Sequence, residues 1–208
     1  MRKRAMCRTV LVGWVGLGLL GALCSVAEEP MSRLPDPEYQ PQRSDPPWLR
    51  YAAQFHGHLG PWATAGTRLG MAARRAVAAR GYFDIRVVCR GPFQRPPRSC
   101  FLDGLQVATG ATWGKRNLQW TEADQIVVIA ENMRNGRRVE IRPAPQLLQL
   151  LESLASPPSG PGRGHDEAQR LKLEAMARRI AWMPDEELFV QSPAGGRAER
   201  QRQGRGER

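Results

Sequence analysis

The densest chemistry in the chain lies in FHGHLGP, residues 55–61. His56 and His58 stand two apart, with Gly57 between them. In extended backbone, such residues point to the same side. A glycine between them lets the chain bend until both rings address one atom. Neutral imidazoles are common ligands for zinc and other transition metals. The segment also leads into a helix N-terminus, whose free N–H groups favour an anion or a bound water. His-x-His alone is a weak pattern, and the same pair would also suit capping or packing.

A second segment, PPRSCFLDGLQVATGATWGK, covers residues 96–115. If Ser99 caps a helix, Cys100 falls in its first turn, where the helix dipole favours thiolate. Asp103 follows three residues later, on the same helix face. A thiolate and a carboxylate one turn apart suit a metal or a polar substrate. A small buried cysteine in a core helix is the commoner fate of this residue type. GATWGK does not form a phosphate loop. Three residues, not four, separate its glycines, and Arg116 stands where Ser or Thr is required. It reads instead as a glycine-rich turn that keeps Lys115 near the site.

The elements that must position these residues are legible in outline. Pro61 to Ala79 reads as a helix, with Gly60 at its N-cap and Gly81 at its end. Ala65, Leu69, Ala72, Ala73, Ala76 and Val77 form its apolar face. Gly66 and Gly70 permit another element to approach closely. Residues 84–90 form a strand, with Ile85 and Val87 on one face. After a proline-rich loop, a helix runs from Ser99 to about Ala108. Residues 125–131 and 137–142 are strands, joined as a hairpin through Asn135-Gly136. Two helices follow, over 145–155 and 166–182, the second lined by Leu173, Met176 and Ile180. DEELFVQ closes the domain with a short apolar segment. The fold class is α+β, a single compact domain with a small sheet packed by helices.

The first 27 residues have the layout of a secretory signal peptide. A basic start (Arg2, Lys3, Arg4, Arg8) precedes fourteen apolar or glycine residues, Val10 to Leu23. Ser25-Val26-Ala27 then offers a small-residue cleavage site. The apolar run is short for an uncleaved anchor, and Leu23 is bulky for lipidation at Cys24. Cleavage after Ala27 makes this an exported protein, periplasmic or secreted, with no membrane contact once processed. The mature chain then divides into a Pro-rich linker (28–47), the α+β domain (48–191) and a basic disordered tail (192–208).

The formal charge of +11 is concentrated at the ends. Four basic residues leave with the signal, and the tail holds five Arg against two Glu. The domain itself is only mildly basic. No aromatic residue interleaves the tail arginines, so no specific nucleic-acid partner is expected. Cys89 and Cys100 are the only cysteines left after processing, in a compartment that permits disulfides. The helix start and the three prolines between them favour a free thiol at Cys100.

FHGHLGPW followed by SCFLDGLQVATGATWGK, with the closing DEELFV, resembles the FmdE family of formylmethanofuran dehydrogenase from about Trp48 to Gln191. That resemblance implies an α+β domain that often forms homodimers. It also implies a cleft lined by the His-x-His loop and the cysteine of the second helix. Carried over residue by residue, it nominates His56, His58, Cys100 and Asp103. Many members carry a cysteine where this chain has Gly60. The expected cofactor is zinc or another divalent transition metal held by those four residues. Three functions stay open: a metal-dependent enzyme, a metal or redox-cofactor carrier without turnover, and an interaction domain without metal.

Overall fold

A computed structural model describes residues 35–153 and 167–193. Residues 1–34, 154–166 and 194–208 lie outside the described residues, and with them the expected signal peptide, the end of the helix expected over 145–155, the start of that over 166–182 and the basic tail. From Asp36 onward the chain forms one compact unit, and the description concerns that unit alone. No helix among the described residues is long and apolar enough to cross a membrane.

Six helices and five strands are present in the described residues: α1 Pro47–His56, α2 Pro61–Ala76, β1 Ile85–Arg90, α3 Cys100–Thr109, β2 Leu118–Thr121, β3 Val127–Asn132, β4 Arg138–Pro143, α4 Pro145–Glu152, α5 Glu167–Trp182, α6 Asp185–Leu188 and β5 Phe189–Pro193. The strands make one mixed sheet in the order β2-β1-β3-β4-β5. β1 and β2 are parallel, which the crossover through α3 requires. The other pairs are antiparallel, and β3 and β4 form the expected hairpin. The α+β expectation therefore holds, with one parallel crossover inside it.

Alternation along the strands builds the core. Ile85, Val87 and Cys89 point inward from β1, joined by Val128 and Ala130 of β3 and Val139 and Ile141 of β4. The buried face of α2 (Ala65, Leu69, Ala73) and Phe101 and Leu105 of α3 complete that core. α2 is the hub, packing on α1, α3, α5 and the sheet. A smaller cluster joins Leu49 and Ala53 of α1 to Ala177 and Ala181 of α5.

Three local expectations are corrected, and helix α1 is new. Helix α1 occupies residues to which the sequence analysis assigns no element, and only its first residue, Pro47, falls in the stretch read as a linker. Pro47 occupies the first turn, where its missing N–H costs nothing. α2 ends at Ala76 rather than near Gly81, because the Asn132 amide donates to the Val77 and Ala78 carbonyls and satisfies the helix end. Ser99 precedes α3 in helical conformation and makes no side-chain cap, since backbone turns over residues 95–99 already lead into the helix. The buried stripe of α5 is Glu174, Ala177, Ile180 and Ala181, with Leu173 and Met176 only half-buried. β2, short and half-exposed, carries too little alternation to be read from sequence.

Glu174 is buried because it is paired. Arg170 and Arg178 both contact its carboxylate, and the Gln40 backbone N–H donates to it. Arg178 also binds Asp45 at 2.8 Å and donates to the Gln40 carbonyl. The proline-rich stretch ahead of α1, expected as a linker, is thus fastened to α5 over residues 40–45.

Candidate functional site

The two histidines are brought together by a helix end, not by an extended segment. His56 is the last residue of α1. Gly57 follows with φ of 91°, and its N–H closes the helix on the Ala53 carbonyl at 2.8 Å. That left-handed conformation is where glycine has no steric penalty. It reverses the chain within one residue, and His58 then bridges to Glu38. The bend at Gly57, rather than the same-side rule for extended chains, therefore brings the two rings close. The ring centroids lie 4.5 Å apart with a 45° tilt. A Cβ placed on Gly60 would stand 3.0 Å from His58 Nε2 and 3.4 Å from His56 Nε2. Both Nε2 atoms thus border one small volume, which the missing side chain at Gly60 leaves open.

Cys100 and Asp103 reach His56 because α3 packs almost backbone to backbone on α2. A Cβ on Gly66 would sit 2.0 Å from the Phe101 carbonyl oxygen, and one on Gly104 would sit 2.0 Å from the Ala63 carbonyl oxygen. Such approach is open only to glycine at both positions. It carries Asp103 up to α1, where Oδ2 lies 2.7 Å from His56 Nδ1. The bond assigns the Nδ1 proton to His56 and turns Nε2 the other way. The His56 side chain is only 9% exposed, and its Nε2 is buried with no hydrogen-bond partner. Burial pushes the imidazole pKa down, but Asp103 and the nearby Cys100 outweigh it and raise the pKa to about 9.

Cys100 opens α3, half-buried and unbridged. Cys89 is fully buried in the core, where desolvation drives its thiol pKa upward. The two thiols are separate, as the sequence favoured. Among the described residues, no group of three or more His, Cys, Asp or Glu side chains is placed to hold a metal ion.

His56, Cys100 and Asp103 line a cavity of about 430 Å³. Besides Pro96, Ser99 and Leu102, its walls include residues that sequence reasoning missed: Trp113 from the turn after α3, Leu118 and Trp120 from β2, and Gln106 from the next turn of α3. The one available signal is Trp113 inside GATWGK, a segment whose glycines dominate the pattern. Trp120 is held by its indole N–H, which donates to the Gly91 carbonyl at 3.0 Å. Lys115, expected near the site, instead places its ammonium over the Phe83 ring and does not line the cavity. A larger depression of about 660 Å³ lies on the solvent face of the sheet among Arg86, Arg90 and Arg138, without histidine or cysteine.

A family model described as FmdE, molybdenum formylmethanofuran dehydrogenase operon, matches residues 55–190. The match runs from the end of α1 into β5 and includes all four nominated residues. No curated protein matches the chain.

Proposed function

This chain belongs to the FmdE family, and from that premise we propose that it is an exported, metal-dependent enzyme. His56, His58 and Cys100 are its ligands for a divalent transition metal, zinc by ligand type. The observation that carries this reading is the environment of His56. One ring nitrogen is committed to a carboxylate, and the other is buried without a partner. Metal-bound histidines have this arrangement, in which the carboxylate fixes the tautomer and the ring direction. A buried polar atom left unpaired costs about 1–3 kcal/mol, so such a nitrogen calls for a partner. Asp103 is accordingly a positioning residue rather than a ligand.

The other groups fit the same role. His58 Nε2 borders the volume that His56 Nε2 faces, beside Gly60. Cys100 opens α3 and offers the sulfur ligand that a soft metal prefers. Cys100 and His58 would join His56 in holding the ion, which would require His56 Nε2 free of its proton. A zinc-class ion on three protein ligands would keep one position open to polarise a substrate or activate a water.

Export is supported by the layout of residues 1–27, basic, then apolar, then small. Two measurements on protein recovered from outside the producing cells test the proposal. Elemental analysis is expected to find about one metal ion per chain in wild type and a clear loss in His58→Ala. Intact mass is expected to begin at Glu28. Metal at background level in both proteins would refute the metal reading, and an unprocessed mass confined to the cytosol would refute export. Metal lifetime under chelator separates an enzyme, which keeps its ion, from a carrier, which releases it.

A further inference from the structure

The walls of the cavity beside His56 carry information about what enters it. They are aromatic and aliphatic, with Trp113, Trp120, Leu118 and Leu102 around the polar floor. No Arg or Lys lines the cavity, and Asp103 is its one carboxylate. A phosphorylated or multiply anionic compound finds no Arg or Lys on these walls, and His56, the one basic group there, is already paired with Asp103. Gln106, one turn beyond Asp103 on α3, supplies an amide that can both donate and accept. The volume, about 430 Å³, is in the range of small-molecule sites and holds one or two fused rings with room for water.

The two indoles differ in a useful way. Trp120 is half-buried and fixed by its bond to Gly91. Trp113 is 67% exposed at the cavity rim, an unusual place for the largest apolar side chain. A flat ring lying against Trp113 covers that surface and gains the stacking preference of aromatic pairs. An exposed apolar surface at the rim of a concave, otherwise dry-walled site marks where a ligand completes the packing.

We infer that the site takes a flat, uncharged heteroaromatic compound, stacked on Trp113 and Trp120, with a polar ring edge turned toward His56 and Gln106. This deepens the metal-site reading by naming its substrate class, and rests on it for the chemistry at the polar edge.

The test uses the full mature chain as isolated and three probes measured by calorimetry and ligand-detected NMR. Quinazolin-4-one is flat and uncharged. Cyclohexanecarboxamide has the polar group without the flat ring. Adenosine monophosphate has the flat ring with charge. Quinazolin-4-one is expected to bind at least tenfold tighter than either other probe. Trp113→Ala is expected to weaken it about tenfold, the scale of one ring–indole stack, and Trp113→Phe to restore most of the loss. Trp113 is largely exposed, so both variants should keep the wild-type unfolding temperature. Equal or tighter binding of cyclohexanecarboxamide or adenosine monophosphate would overturn the inference, as would an unchanged affinity in Trp113→Ala. Elemental analysis of the same samples separates the two readings. Metal present without preference for the flat probe removes the inference alone. Flat-probe preference in metal-free protein supports the inference and removes the metal.

Discussion

Gly104→Ala is the substitution that best tests how the site is assembled. In an isolated helix this change stabilises, by about 1 kcal/mol, because alanine is the better helix former. Here the new Cβ would stand 2.0 Å from the Ala63 carbonyl oxygen, 2.5 Å from the Thr67 nitrogen and 2.8 Å from the Gly66 carbonyl carbon. All three are backbone atoms of α2, so no rotamer change relieves the clash. The helices must separate, which opens voids around Leu69, Phe101 and Leu105 in the core. Overpacking of this kind costs about 1–3 kcal/mol, and a rigid backbone neighbour places it at the upper end. After the propensity gain, the expected net loss is about 2 kcal/mol, or about 4–8 °C in Tm for a domain of this size. The same separation draws Asp103 away from His56. Chemical denaturation gives the stability, and the NMR signal of the His56 Nδ1 proton reports the Asp103 bond. A variant as stable as wild type, with that proton unshifted, would refute the claim that backbone contact of α2 and α3 positions the site.

Three further outcomes are expected. Asp103→Asn keeps the shape but weakens the hold on His56 Nδ1, so metal affinity in a chelator competition should fall about 10- to 100-fold, with little change in Tm. Gly60→Cys places a Cβ 3.0 Å from His58 Nε2, a flexible side-chain end that can yield, and points a thiol at both imidazoles. It should slow metal release to a chelator, and an unchanged release rate would show that Gly60 does not face the ligands. Asp45 is buried, which alone would raise its pKa, but hydrogen bonds from Arg178 and the Gln42 backbone outweigh this and lower it. A lowered carboxylate pKa contributes stability above the unfolded-state value, near pH 4, and loses it as the pH falls through the folded-state value. Urea denaturation should therefore find Asp45→Asn less stable than wild type at about pH 7, with the gap closing in acid. A gap that persists at about pH 2 would assign the loss to packing instead.

How much of this is legible in the chain alone follows the range of the interactions involved. The residue types of the site, His56, His58, Cys100 and Asp103, are stated by the chain itself, because ligand chemistry belongs to the side chain. The start of α2, the end of α3, β1 and the β3–β4 hairpin are also readable. Their signals, such as Pro61 at a first turn and alternation in β1, act within a few residues. Helix α1 is hidden because proline breaks helices except at their start, and which case applies depends on what packs on the following turns. Here that is α5, more than a hundred residues away.

What joins the parts is tertiary. Gly66 is recognisable as a site of close approach, but its contact with α3, and the matching role of Gly104, arise only where two helices meet. The 2.7 Å bond between His56 and Asp103 spans forty-seven positions, and no local rule relates them. The same holds for the unpartnered Nε2, which is defined by the burial of everything around it. Trp113 and Trp120 become walls of one cavity because β2 pairs in parallel with β1, and that pairing is a choice of the whole sheet. Sequence determined which atoms could bind. The packing of α1 and α3 on α2 determined that His56 meets Asp103, because burial and direction are properties of neighbours and not of residues.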